Sequence, residues 1–175
     1  MNNKNKIKIT GEIEEASEIK EFTIDNKKVP VTYNKTKNKY EFSIEKKFGD
    51  GVQSFTVKAT DKWDNTVSFK RTIMVDTTKP GLKVKGVPAT VGVKGSNPKV
   101  DVTVEDNFDE IRLYLNGSEV FYNEFKEPYK MRSYKKKIED LELPLKPGNN
   151  KFEFKVTDLA GNESKKVFNI QKAKK

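Results

Sequence analysis

The chain has 175 residues, of which 34% are hydrophobic and 35% charged, and its formal net charge is +9. It contains no His and no Cys, which excludes Ser-His-Asp and Cys-His catalysis and ordinary zinc sites and leaves an enzyme only in a carboxylate or Ser/Lys form. No apolar segment approaches the roughly 18 residues that span a bilayer. We therefore predict no enzyme, no cofactor and no direct membrane insertion.

The basic charge comes almost entirely from lysine, since arginine occurs only at positions 71, 112 and 132. Proteins that recognise nucleic-acid sequences usually use the planar arginine fork for phosphate and guanine. A lysine excess spread along the whole chain indicates a solvated surface instead. We predict no nucleic-acid partner.

Apolar and polar side chains alternate along several segments, which is the period of a strand with one buried face. The pattern occurs at Phe55-Val57-Ala59 and Val67-Phe69, and again at Val100-Val102-Val104 and Phe152-Phe154-Val156. The best helix candidate, residues 13 to 19, is too short and acidic to be stable alone, so we predict a turn there. Strands recur every eight to twelve residues or so between turn-forming residues, as in an antiparallel sandwich.

The sequence repeats itself once. With Gly51 set against Gly148, the register holds without a gap from Phe48 and Leu145 to Ile73 and Ile170. Upstream, residues 22 to 29 match residues 113 to 120, and the second copy carries about six extra residues between positions 121 and 138. We predict an all-β protein with two tandem immunoglobulin-like, Greek-key antiparallel β-sandwich domains.

The predicted boundaries are 1–76 for the first domain, 77–80 for a short linker and 81–175 for the second domain. Pro80 fixes its own φ and holds Lys79 extended, which makes the linker semi-rigid. The second domain has a strand-like segment at residues 82–84 with no equivalent before Ile7. Either the first domain lacks its opening strand or the chain is a piece of a larger array, which we favour. A sandwich without an edge strand is expected to be the less stable of the two.

Two five-residue segments between predicted strands have the composition of tight hairpin turns. An Asp carboxylate accepts hydrogen bonds from backbone N–H groups two or more residues on, and Asp64 or Gly161 adopts the left-handed conformation that a short loop needs. We predict structural turns at Asp61, Asn65, Asp158, Gly161 and Asn162. The alternative is a calcium site at Asp61, Asp64 and Asn65. It offers too few of the roughly six to eight oxygens that calcium takes, so we predict no metal.

The second of these turns belongs to the block Leu-x-Pro-Gly-Asn-Asn-x-Phe-x-Phe-x-Val-Thr-Asp-x-Ala-Gly-Asn at residues 145–162, which has a degenerate copy at residues 48–65. Together with Asp-Thr-Thr-Lys-Pro at 76–80, it resembles immunoglobulin-like and fibronectin type III-like repeats of Gram-positive cell-surface proteins. It is especially similar to accessory regions of lactocepin-type and complement-cleaving subtilases. The first copy departs from the pattern in having Trp63-Asp64 where Ala-Gly is usual. The resemblance implies that the chain is part of a longer exported protein at the bacterial cell surface or wall. In the subtilases, that longer protein is an enzyme.

Exposed aromatic residues are the candidate partner-binding sites. Trp63, the single Trp, lies at a predicted hairpin tip and is a candidate for sugar stacking or partner anchoring. We favour the alternative that it folds back over the sandwich or against the linker. The inserted segment supplies a second group, consisting of Phe121, Tyr122, Phe125 and Tyr129. Its alternative, also favoured, is an extra edge hairpin with aromatic residues paired across strands.

Two charged segments have a functional and a structural interpretation. The lysines at 135–137 could attract acidic polymers such as teichoic acid or glycosaminoglycans, but we favour an edge strand on which lysine prevents sheet-to-sheet aggregation. The carboxylates at residues 105–110 suggest a calcium site or a glycosidase pair. A polar turn between Val104 and Ile111 explains the same residues without chemistry.

Three hypotheses follow. The first, which we favour, is a monomeric, non-catalytic tandem module of an extracellular bacterial surface protein. It acts as a spacer, an adhesion module or an accessory domain, with neighbouring domains and a host protein or cell-wall glycan as partners. The second is a carbohydrate-binding module that uses Trp63 or the aromatic segment. The third is an enzyme whose chemistry rests on carboxylates or on a Ser/Lys pair.

Overall fold

A computed structural model describes residues 1–127 and 130–174. The chain divides into two compact units, Met1–Asp76 (unit 1) and Thr77–Lys175 (unit 2). The described residues form strands, turns and loops, and none of them belongs to a helix long and apolar enough to cross a membrane. The strands of unit 1 are β1 (Lys6–Ile13), β2 (Ile19–Ile24), β3 (Lys27–Lys28), β4 (Thr32–Asn34), β5 (Lys39–Lys47), β6 (Gly51–Asp61) and β7 (Thr66–Val75). Those of unit 2 are β8 (Gly81–Lys85), β9 (Thr90–Val91), β10 (Lys99–Asp106), β11 (Ile111–Leu115), β12 (Ser118–Asn123), β13 (Tyr134–Glu142), β14 (Gly148–Asp158) and β15 (Glu163–Lys172).

Unit 1 consists of two antiparallel sheets with strand orders β1-β5-β4 and β3-β2-β6-β7. Alternate residues of β2 and β6 point inward because side chains of a strand alternate between its two faces. Phe22 and Phe55 are buried in this way, and the Phe22 ring meets Phe42 of the other sheet with 4.5 Å between ring centroids. The core therefore lies between the two sheets.

Unit 2 has sheets of order β13-β10-β8 and β12-β11-β14-β15-β9. Val102 and Val104 of β10 are fully buried and belong to one cluster with Leu113, Phe154 and Val156 of the facing sheet. The apolar residues at alternate positions, from which these strands were predicted, are the residues that fill this core.

The two units share one topology. The order β3-β2-β6-β7 corresponds to β12-β11-β14-β15, and the pair β1-β5 corresponds to β10-β13, although β1 lies at a sheet edge and β10 in the centre of its sheet. The chain passes from one sheet to the other between β1 and β2 and between β10 and β11. The prediction of an all-β chain with two immunoglobulin-like Greek-key sandwiches is confirmed. The segment at residues 14–18 is a connection between strands and not a helix, as predicted.

Parallel pairing joins a segment near the start of each unit to its last strand, although all other strand pairs among the described residues are antiparallel. In unit 2, β8 pairs with β10, the chain turns at Gly86 (φ 82°), and β9 then runs parallel to β15 in the other sheet. In unit 1, an isolated parallel bridge joins Asn2 to Val75 at the end of β7. Each unit is thus closed where the chain enters and leaves its sheets.

Candidate functional site

The turn at the end of β6 is organised by the carboxylate of Asp61. Its Oδ1 accepts hydrogen bonds from the backbone N–H groups of Trp63 (2.8 Å) and Asn65 (2.9 Å), and its Oδ2 accepts one from Asn65 Nδ2 (2.8 Å). The side-chain hydrogen bond from Asn65 is the main cause that lowers the pKa of Asp61 from its usual value, against the opposing effect of desolvation. This carboxylate therefore bonds to its own hairpin.

Unit 2 builds the same turn at the end of β14. Asp158 accepts hydrogen bonds from the backbone N–H (2.9 Å) and side-chain Nδ2 (2.8 Å) of Asn162. The left-handed position is occupied by Asp64 (φ 67°) in one unit and by Gly161 (φ 86°) in the other. The departure of the first copy from the Ala-Gly pattern therefore leaves the hydrogen bonds of the turn in place.

Trp63 does not fold back over the sandwich or against the linker, the alternative that we favoured from the sequence. Its side chain is 72% exposed at the tip of the β6–β7 hairpin, and Lys62 Nζ lies 5.1 Å from its ring centroid. The hairpin has only four residues between its strands, which leaves the ring projecting into solvent. Its broad face is therefore accessible.

The aromatic residues of the inserted segment are divided between two faces of an edge strand, β12. Phe121 packs against the core of unit 2, whereas Tyr122 on the next position is exposed with the Arg112 guanidinium 4.1 Å from its ring centroid. Phe125 is half-buried beyond the end of the strand. Tyr129 lies outside the described residues. The described aromatic residues therefore do not form one platform.

The lysines at 135–137 lie on β13, which is an edge strand of its sheet. Lys135 pairs with Glu105 across to β10 (2.6 Å), and Lys137 pairs with Asp101 (2.8 Å) and Glu139 (2.7 Å). Two of the three lysines thus form local ion pairs. The placement is the one expected of lysine that blocks a sheet edge.

The acidic segment between β10 and β11 differs from a solvated polar turn. Phe108 is fully buried, and its neighbours Asp106 and Asp109 are only 8% and 4% exposed. The backbone carbonyl of Asp109 accepts a hydrogen bond from Asn123 Nδ2 of β12, which fixes the loop against the sheet. The acidic composition of residues 105–110 favoured a solvated polar turn, and the burial of this loop corrects that expectation. We find that the loop brings carboxylates into the protein.

No protein family model matches the chain, and no curated protein matches it. Among solved structures, the chain is similar to the fibronectin(III)-like modules of CbhA from Clostridium thermocellum, with 14% sequence identity and a TM-score of 0.48. The match covers 97% of this chain and 87% of that chain. The description of the fold therefore rests on the strand order of the two units.

Proposed function

We propose that the chain is a non-catalytic, load-bearing spacer of an extracellular bacterial surface protein, in which the two units connect neighbouring domains. The sequence resemblance supports a cell-envelope protease of the subtilase type as one such parent protein. The proposal is supported most by the parallel pairing at the ends of each unit. Such pairing allows a module without catalytic function to carry mechanical load.

Parallel terminal strands resist tension because of their direction. In unit 2, Gln171 N donates to Ala89 O (3.0 Å) and Ala173 N donates to Val91 O (2.9 Å). The chain enters along β8, which pairs with β10, and then reaches β9, which runs parallel to the last strand, β15. Tension that passes β8 therefore slides β9 past β15 and loads their hydrogen bonds together. Strands in an antiparallel hairpin would instead open one bond at a time. Pairing of this kind therefore favours a mechanical role.

Unit 1 carries a smaller version of the same arrangement. Asn2 N donates to Met74 O (3.0 Å), and Asp76 N donates to Asn2 O (2.8 Å). With a single bridge instead of a two-residue strand, unit 1 has the shorter parallel pairing to load. We expect it to open at a lower force than unit 2.

The test of this function is single-molecule pulling of the whole chain from its termini, with Ala173→Pro as the variant. Proline lacks the N–H that Ala173 donates to Val91 O. Ala173 is exposed and follows the end of β15, so the sandwich itself should stay intact. We expect a lower rupture force for the event that releases about 300 Å of chain, the length of unit 2.

Ala173→Ser is the matched control, because it changes the side chain at the same position and keeps the N–H group. Its rupture force should equal that of the unaltered chain. An equal force for Ala173→Pro in a folded unit 2 would contradict the load-bearing role.

A second candidate function, glycan binding, is favoured by the exposure of Trp63. Aromatic rings with a free face stack on sugar rings, and this ring is 72% exposed. Because Trp63 is the single Trp, its fluorescence reports binding at that position alone. A titration with soluble cell-wall glycan fragments should shift the emission and saturate.

The matched variants are Trp63→Phe, which keeps an aromatic face, and Trp63→Ala, which removes it. Calorimetry with a glycan that binds should show a loss of about tenfold or more for Trp63→Ala and a smaller loss for Trp63→Phe. A glycan array without a signal would eliminate this candidate.

A further inference from the structure

Unit 1 leaves open a strand position that unit 2 fills. In unit 2, β10 pairs with β13 on one side and with β8 on the other, and β8 lies against β14 and β15 of the facing sheet. In unit 1, β1 pairs with β5 on one side, and no strand within residues 1–127 or 130–174 pairs with its other side. We call the open position beside residues 8–12 of β1 the strand slot.

The strand β7 supplies an apolar surface that faces the slot. Val67 and Phe69 pair with buried residues of β6, so they point to the core side of their sheet. They are nevertheless 59% and 43% exposed. Unit 2 has the polar residues Ser164 and Lys166 at the same positions of β15. Unit 1 therefore exposes apolar side chains that a further strand would cover, and their burial favours binding.

A cleft connects the end of β1 with this apolar surface. It has a volume of about 190 Å³, and Ile13 of β1, Ala59 of β6 and Val67 of β7 line part of it. In unit 2, Leu82 and Val84 of β8 pack into the hydrophobic core from the equivalent position beside β10. A strand in the slot can therefore pair with β1 and bury apolar side chains against β7 at the same time.

The edge of β1 has the form of a strand that accepts pairing. The strand is eight residues long, contains no proline and pairs with β5 without a bulge. Edges that resist pairing are short, or carry prolines, bulges or lysines, and β4 at the opposite edge of this sheet has three residues. Of these protective features, β1 has lysines alone, Lys6 and Lys8. Their charge opposes a basic strand and favours an acidic one.

Comparison with unit 2 shows which charge the slot selects. The strands β1 and β10 both have eight residues, and the first residue of each pairs with the last residue of β5 or β13. Lys8 therefore has the position of Asp101, which pairs with Lys85 of β8. Lys8 is exposed and forms no ion pair within the described chain, whereas Lys6 pairs with Glu45. The slot of unit 1 thus favours a carboxylate where β8 has a lysine.

We propose that the strand slot of unit 1 binds an extended peptide segment of another protein, antiparallel to β1, with apolar residues at alternate positions and a carboxylate opposite Lys8. In this mode of recognition, backbone hydrogen bonds to the sheet edge supply affinity and alternate side chains supply specificity. Arg71, whose guanidinium lies 4.7 Å from the Phe69 ring centroid, adds a positive charge on the same side of β7. The β8 strand of a second copy fits less well, because its Lys85 would lie opposite Lys8. The slot adds an attachment point to the spacer and does not depend on the load-bearing role.

The test is a titration of the ¹⁵N-labelled whole chain with two synthetic peptides. One has the sequence of residues 78–88, which contain β8, and the other carries Lys85→Glu in the same sequence. We expect both to shift the amide signals of residues 8–12 and of β7 and to slow hydrogen exchange in β1. The Lys85→Glu peptide should bind about threefold or more tighter, because an opposite charge replaces a like charge beside Lys8. Equal affinities, or no shift along β1, would overturn the proposal.

Lys8→Glu is the principal variant, since it reverses the charge that selects the peptide. Lys8 is exposed, so unit 1 should stay folded, and a ¹H–¹⁵N spectrum of each variant establishes this. In Lys8→Glu, the unaltered peptide should become the tighter ligand by a similar factor. A preference that stays with the Lys85→Glu peptide would contradict the pairing of this position with Lys8 and overturn the proposal.

Val67→Ser tests the apolar surface of β7 by introducing the residue that unit 2 has at this position, Ser164. It should weaken both peptides about threefold or more, because less apolar surface is buried on binding. Val167→Ser is the matched control, since Val167 of β15 is also exposed, by 48%, and lies in unit 2. It should leave both affinities unchanged, and an equal loss in the two variants would place the peptides outside the slot.

Sedimentation of the chain without peptide tests whether a second copy takes the slot. We expect a monomer with rapid hydrogen exchange at the outer edge of β1. A dimer in which the amides of residues 8–12 are protected would give the slot to a second copy and overturn the proposal.

Discussion

At the scale of single residues, side-chain acceptors organise the places where one strand ends and the next begins. Asp25 Oδ1 accepts a hydrogen bond from Thr56 N in unit 1, and Asn116 Oδ1 accepts the same bond from Glu153 N in unit 2, each at 2.8 Å. Both residues have a left-handed backbone, with φ of 49° and 50°. Asp and Asn tolerate this conformation better than most residues, because their short side chains bond locally. The two copies thus share the same hydrogen bond at this position although the residues that accept it differ.

The turn at Asp61 leads to a testable prediction. The two carboxylate oxygens of Asp61 accept three hydrogen bonds from N–H groups. Asp61→Asn leaves one acceptor oxygen and replaces the other with an NH₂ group, which is a donor. We expect the unfolding midpoint of unit 1 at pH 7 to fall by about 4–8 °C. Asp64→Asn in the same hairpin keeps a residue suited to φ > 0 and loses only the exposed pair with Lys20, so its midpoint should change by less than about 2 °C.

The effect of Asp61→Asn on the unfolding midpoint should depend on pH in a defined direction. The pKa of Asp61 is lowered in the folded chain, so its contribution to stability is complete above the unfolded pKa of about 3.9 and is lost as pH falls through the lower folded value. The difference in midpoint between the unaltered chain and Asp61→Asn should therefore shrink below pH 4. A difference independent of pH would mean that the charge has no part in the turn.

At the scale of elements, the sequence predicted the long strands because a period of two over eight or more residues is visible without tertiary information. It did not predict β3, β4 and β9, which have two or three residues each and are too short to show a period. The parallel pairing of β9 with β15 depends on a turn at Gly86, whose φ of 82° suits glycine. Contacts between distant segments, such as Asn2 with Val75, leave no local pattern.

The buried acidic loop shows why the candidate site was harder to predict than the fold. A segment with four carboxylates in six residues is normally solvated, so its composition indicated a polar turn. Phe108 reverses that expectation, because its fully buried ring draws the residues on either side of it into the protein. A single apolar residue inside a charged run was the available signal. Its effect on the neighbouring carboxylates depends on the three-dimensional packing.

At the scale of the whole molecule, the chain has two hydrophobic cores that share no residue among those described. Several core residues of unit 2, including Val102, Ile111 and Phe154, are completely buried, whereas Phe22, Val57 and Phe55 of unit 1 keep 4–7% exposure. The edge strand β7 is also exposed over most of its length, and in its counterpart β15 the last two residues, Gln171 and Lys172, pair with β9. These differences in burial and edge protection favour unit 2 as the more stable of the two.

Native-state hydrogen exchange tests the central claim, that one layered β-fold forms twice around separate cores. We predict two distinct free energies of opening for the slowest amides, with those of β6 in unit 1 at the lower value and those of β14 in unit 2 at the higher value. Addition of Asp61→Asn should lower the first value and leave the second unchanged. A single common free energy for β6 and β14, or rapid exchange along either strand, would contradict the account.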